Sequence, residues 1–302
     1  MGFERCHPAV NLIYFAAVIA GTLIFKNPVF LGISYVCAFV YSVKRGGRRA
    51  LVFDLVLIPL IAVFAYYYSS FEHFGMTVIG YNRVGNSITL ESIVYGAVLG
   101  FMAAAVLMWF SCVHSVFTAD KVVYLFGRVS PLMALFLSIM LRMVPRIKKE
   151  AGRINTAQKG IGLGAGQGGI IRRMRNCIRI FSMMISWTIE AFASASDSMR
   201  SRGSMLRGRR AFSIYRFDNR DRAYVVVMFF FMSVTVAARM LSQTGMKFSP
   251  QLIFPPVTAA SFLFYICWAA MCLMPLALEL WTERSFIKAR RQMASQDAPA
   301  RL

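Results

Sequence analysis

A succession of long apolar stretches, each cut short by basic residues, leaves this chain few ways to fold. Residues 12–25, 29–43, 51–68, 92–117, 223–241 and 254–280 form six such runs. Hydrophobic residues make up 58% of the 302 and charged ones only 16%, against about 25% charged in soluble domains. With 26 Phe and 19 Met, this much apolar surface has no place in one water-soluble core. Lipid is its natural solvent.

The first two runs are slightly short for a span of about 20 residues. Only Lys26, Asn27 and Pro28 part them, so they read as a tight helical hairpin or as a re-entrant pair. Lys44-Arg45-Gly46-Gly47-Arg48-Arg49 follows, a cytoplasmic anchor under the positive-inside bias. Residues 71–91, weakly charged and carrying Gly75, Gly80 and Gly85, fit an outside loop. The run at 92–117 is long enough to span with tilt. Its Gly96, Gly100 and alanines 103–105 form a small-residue stripe of the kind that lets helices approach closely in lipid.

Residues 118–130 return to the cytoplasm. Residues 131–144 are apolar but short, ending in Arg142 and Pro145, and read as a helix dipping into the inner leaflet or tilted against the bundle. Residues 145–222 differ in character. They hold 17 of the 34 Lys and Arg and only Glu150, Glu190, Asp197, Asp218 and Asp221 as acids. Basic residues there flank greasy stretches such as 178–185, the pattern of helices lying along the inner membrane surface. In the final span Pro255, Pro256 and Pro275 suggest bends, and the basic tail from Arg284 is expected to fray.

The expected fold is therefore all-α, a polytopic membrane helical bundle of about six spans. It divides into N-terminal transmembrane helices (1–130), cytoplasmic or interfacial helices (131–222), and C-terminal transmembrane helices with a basic tail (223–302). Six spans with both termini cytoplasmic put 30 of the 34 basic residues inside, leaving Lys26, Arg83, Arg239 and Lys247 outside or at the outer edge. This orientation, in the cell membrane, is the expected one. The apolar run after Asn11 is long and is followed at once by a second, so no cleavable signal is expected.

The net charge of +21 first suggests nucleic acid. In a membrane chain, cytoplasmic loops and anionic lipid headgroups account for it better, so the lipid bilayer is an expected partner and nucleic acid is not. Cys6, Cys37, Cys112, Cys177, Cys267 and Cys272 form no CxxC and read as small hydrophobes. His7, His73 and His114 lie far apart, so no metal centre is expected. Phosphate-loop, GxSxG and HExxH motifs are absent. Gly164, Gly166 and Gly169 satisfy GxGxxG, but a basic helix precedes them where a nucleotide site needs a strand. They read as a flexible glycine linker, residues 160–169. Neither a cofactor nor a catalytic group is expected.

Asp54 lies about one turn inside the third run. Either the neighbouring arginines satisfy it near the headgroups, or it is a proton or ion site. Ser201-Arg202-Gly203 ends a helix expected over residues 173–202. Gly203 fits the left-handed position past a helix end, and an arginine suits the negative helix terminus. Those three residues are either a plain helix stop or something more.

Residues 195–203, followed by Arg207-Gly208-Arg209-Arg210-Ala211-Phe212-Ser213-Ile214-Tyr215-Arg216-Phe217, closely resemble the transmembrane T component of energy-coupling-factor (ECF) transporters. That family carries two short Ala-Arg-Gly-like motifs, each ending a cytoplasmic coupling helix. Ser201-Arg202-Gly203 looks like the second. The first falls at Ala157-Gln158-Lys159-Gly160-Ile161-Gly162, where the arginine position is occupied by Ile161. Either Lys159 supplies the charge or that contact is weaker. His7-Pro8-Ala9-Val10-Asn11 and Leu141-Arg142-Met143-Val144-Pro145 are similar to the family's opening and to its lead into the coupling helices.

The resemblance implies a non-catalytic scaffold linking two cytoplasmic ABC ATPases to a substrate-binding membrane S component, for vitamin or metal-ion uptake. Ser201, Arg202, Gly203, Lys159, Gly160, Ile161 and Gly162 would then be the ATPase-coupling residues. The competing readings are a stand-alone secondary transporter and a membrane enzyme acting on lipid or an isoprenoid diphosphate. The first would want an internal repeat and midplane polar groups, the second acidic metal-binding clusters.

Overall fold

Two prolines start the first two helices. Pro8 and Pro28 occupy first-turn positions, where a missing N–H costs nothing. His7 Nδ1 accepts from Ala9 N at 3.2 Å, and Asn27 Oδ1 from Val29 N at 3.0 Å. The computed structural model describes residues 3–72, 75–81, 87–203, 215, 217–241, 245–246 and 258–297. Its helices are α1 (Pro8–Ile24), α2 (Pro28–Phe71), α3 (Leu90–Val116), α4 (Ala119–Val129), α5 (Pro131–Gly160), α6 (Ile170–Ser201), α7 (Asn219–Met240) and α8 (Ala259–Asp297). The stretch read as a plain outside loop holds a small antiparallel hairpin, β1 (Val78–Tyr81) with β2 (Ser87–Thr89). His73, Arg83, Gly85, Lys247, Pro255 and Pro256 lie outside the described residues, as do 204–214 and 216 of the stretch that carries the resemblance.

The chain forms two compact units, Met1–Thr118 with Tyr215–Leu302, and Ala119–Ile214. In the first, the helices α2, α3, α7 and α8 are long and apolar enough to cross a membrane, and Pro8–Ile24 is apolar but shorter. Their outer faces carry large apolar side chains; Val56 is 62% exposed and Phe230 60%. Such faces suit hydrocarbon, which offers no hydrogen bonds to polar groups.

The Lys44 to Arg49 cluster is not an open loop. Helical hydrogen bonding runs up to it and away from it, and Gly47 alone leaves helical geometry, at φ 59° and ψ −142°. Only glycine enters that region without a Cβ clash. The two arms of α2, residues 28–46 and 48–71, run in opposite directions. On the first arm Ser34 accepts from Trp109 Nε1 at 3.0 Å and the Ala38 carbonyl faces Cys112 Sγ at 4.0 Å, a pairing parallel to α3. On the second arm Ile61 meets Gly100 and Ala65 meets Gly96, an antiparallel pairing. The basic cluster thus marks a reversal of the chain, compressed onto one residue.

The small-residue stripe of α3 works as expected. A Cβ at Gly96 would lie 3.0 Å from Ala65 Cα, and one at Gly100 would lie 3.0 Å from Ile61 Cα. Ala104 and Ala105 are fully buried. The core around them is aromatic, with Phe3, Tyr14 and Phe15 meeting Trp109 and Tyr224 mostly edge to face. Pro275 lies inside α8, which runs on through it, and cannot donate to the Met271 carbonyl. The Tyr14 hydroxyl reaches that carbonyl and the next one, Cys272, at 3.2 Å each. The missing helix bond is thereby replaced from α1.

A charge network ties the ends of these elements. Arg45 reaches Glu4 at 3.0 Å, Glu279 at 3.6 Å and the Ser115 carbonyl at 3.2 Å, while Lys44 pairs with Glu283 at 3.2 Å. Tyr41 donates to Glu279 at 3.3 Å. The expectation that nearby arginines satisfy Asp54 is therefore not met. Arg45 is held by acids remote in sequence, Arg48 and Arg49 are exposed, and Asp54 is fully buried with neither oxygen hydrogen-bonded. The cysteines are free thiols, four of them buried.

Candidate functional site

The second unit consists of α4, α5 and α6. The expected stop near Pro145 does not occur, and α5 runs on through it to Gly160. Pro145 and Leu141, whose carbonyl loses its donor, are both exposed, so the missing bond lies at the surface. α5 and α6 pair antiparallel. Gln158 Nε2 contacts Met183 Sδ at 3.7 Å, and the Arg146 guanidinium lies over Trp187 at 5.5 Å.

The glycine segment between them is a pinned loop, not a flexible linker. Gly162 and Gly168 take φ 76° and 91°, which glycine does at no steric cost. Asn176, 2% exposed on α6, donates to the Gly164 carbonyl at 3.1 Å. Gly164 N donates to Gln167 Oε1 at 2.9 Å, and Ala165 N to Asn155 Oδ1 at 3.0 Å. These bonds spend the backbone groups on the fold's own side chains. With a helix before the loop, the GxGxxG spacing lacks the strand-turn-helix context of a nucleotide site.

Lys159 and Gly160 form the last turn of α5, Ile161 caps it at 68% exposure, and Gly162 turns the chain. Ser201 is the last residue of α6, and its hydroxyl donates back to the Ser198 carbonyl at 2.9 Å. Arg202 is the C-cap at φ −84° and ψ 5°, and Gly203 follows at φ 74°, its N–H donating to the Arg200 carbonyl at 3.0 Å. The helix end read from the sequence is thus present, with Arg202 exposed at the tip. The two motifs are not brought together. The whole of α6, 32 residues, separates them, about 48 Å at 1.5 Å per residue.

At the Arg202 end, α5 and α6 part to leave a groove of about 590 Å³. Arg142, Arg146 and Arg202 line it together with Ser138, Ser194 and Ser198, over a floor that includes Met143 and Met199. No carboxylate lines it. Sequence reasoning singled out Arg202 but not its convergence with Arg142 and Arg146, because those three meet only when the helices pair. A groove of fixed cations and hydroxyls favours carboxylates, and guanidinium groups bind them through two parallel hydrogen bonds.

One face of α6 turns Asn176 and Ile180 inward. Another exposes Ile171, Met174, Ile178, Phe181, Ile185 and Ile189, spaced three or four apart. Arg172, Arg173, Arg175 and Arg179 are exposed beside that stripe, the composition of an interfacial helix. Among the described residues no group of three or more His, Cys, Asp or Glu side chains is placed to hold a metal ion. Comparison with protein-family models and with curated sequences gave no match.

Proposed function

We propose that this chain is the transmembrane T component of an ECF-type importer. In that reading it is a non-catalytic scaffold that passes the motion of two cytoplasmic ABC ATPases to a substrate-binding S component, for vitamin or metal-ion uptake. The observation that carries the reading is the tip of α6. Arg202 caps an amphipathic helix, stays exposed, and shares an acid-free groove with Arg142 and Arg146. Such a tip suits a carboxylate-lined socket on a partner. The second handle, Lys159 to Gly162, stands a helix length away, a spacing that suits two ATPases better than one. ATP-driven closure of the pair would drag α5 and α6.

A desolvated arginine–carboxylate contact is worth about 2–5 kcal/mol on truncation, a loss of affinity of roughly 25-fold or more at about 1.4 kcal/mol per tenfold. Arg202→Glu should therefore strip the ATPases from the purified complex and abolish uptake, and added salt should loosen them in the wild type. Wild-type levels of both in Arg202→Glu would refute the assignment. The buried carboxyl of Asp54 favours one other reading, stand-alone secondary transport. Substrate uptake by the purified chain in sealed vesicles without ATP would carry that reading instead.

A further inference from the structure

Asp54 is a buried carboxyl for which the scaffold reading has no use. It sits on the second arm of α2, seven residues past the reversal at Gly47, and has no exposed surface. Neither carboxyl oxygen has a hydrogen-bond donor, and no ion pair among the described residues includes it. Ser42 on the first arm, 3% exposed, lies beside it, close enough for its hydroxyl to act on the carboxyl but without a well-formed hydrogen bond to it or to anything else. The titratable groups facing it are the Tyr35 phenol from the first arm and the Cys112 thiol from α3. Neither is a cation. Arg45 comes within electrostatic reach of Cys112 but is engaged by Glu4 and Glu279.

An unpaired carboxylate in such a place is costly, because nothing replaces the water it has lost. At neutral pH an ordinary aspartate is protonated about one part in a thousand. A bound proton removes the charge that this buried position does not solvate. A metal cation is a poor alternative, since one carboxyl and one hydroxyl fall far short of six oxygen ligands. A neutral acid fits better. It gains an O–H donor, and the Ser42 hydroxyl beside it, which can accept as well as donate, is a partner for it.

We propose that Asp54 is a proton-binding site inside the bundle, a neutral carboxylic acid while the two arms of α2 and helix α3 are packed together. When that packing opens and water enters, the acid ionises and releases its proton. Binding and packing are then linked reciprocally, and a proton favours the closed arrangement as much as closure favours the proton. The inference stands whether or not the chain couples to ATPases.

The test is infrared spectroscopy of the full-length protein in lipid nanodiscs at pH 7, wild type against Asp54→Asn, with a second sample carrying carboxyl-labelled aspartate. The expected result is a protonated-carboxyl C=O band that moves with the label and is missing from the variant. Asp54→Ser serves if the amide fails to fold, and the labelled wild type alone reports the band. The pH dependence of unfolding is the companion measurement. The native state holds a proton that the unfolded state lacks, so the wild-type folding constant should fall about tenfold per unit rise in pH above the carboxylate range. Asp54→Asn should lack that slope. A difference spectrum containing only ionised carboxylate bands, or a protonated band that survives in the variant, would overturn the proposal.

Discussion

Tyr14 and Pro275 show at the residue scale how this chain settles a local debt through a distant partner. The sequence suggests a bend at the proline, but α8 runs on through it as one helix. The remedy for its lost bond was not legible, because the Tyr14 hydroxyl lies more than 250 positions away in sequence. Tyr14→Phe should lower stability by about 0.6–1.7 kcal/mol, the range measured for hydrogen bonds between membrane helices, read as a lower unfolding midpoint in nanodiscs. Asp54 carries the same lesson in reverse. Its proximity in sequence to four basic residues suggested a paired carboxylate, but Arg45 is claimed by Glu4 and Glu279. Local charge counts fail wherever long-range pairs compete for the same guanidinium.

Patterns with a fixed period were readable at the scale of elements. The Gly96 and Gly100 stripe predicts close helix approach, and α3 meets α2 there at backbone contact. Gly100→Leu should cost about 1–3 kcal/mol or more through overpacking, seen as loss of the folded fraction on expression, whereas Gly152→Leu, in open space, should not. The stop at Gly203 was also readable, since a left-handed glycine past a helix is a local rule. The loop between α5 and α6 was not. Composition suggests a slack linker, but Asn155 and Asn176 reach in from the flanking helices and hold it. Asn176→Ala removes the bond from α6 into the loop and leaves the Gly164 carbonyl to the Gln167 N–H alone, which should cost about 0.5–1.5 kcal/mol, with faster amide exchange confined to residues 161–169. The passage of α5 through Pro145 escaped the sequence for a related reason. A proline stops a helix only where its lost bond has no other outlet.

For the whole molecule, lipid immersion followed from composition alone, and four long apolar helices agree with it. The reversal at Lys44 to Arg49 was legible as a turn, though not its compression onto Gly47. The groove of Arg142, Arg146 and Arg202 was not legible, because it arises from pairing two helices whose cations stand far apart in the chain. The proposed role rests on that groove serving a nucleotide-driven partner. The most direct measurement is ATP hydrolysis by the complex captured on this chain from its native membrane. The account predicts a stoichiometric ATPase whose activity is retained with the wild type and lost with Arg202→Glu. A chain that purifies with no ATP-hydrolysing companion, and still moves substrate across a vesicle membrane, would contradict it.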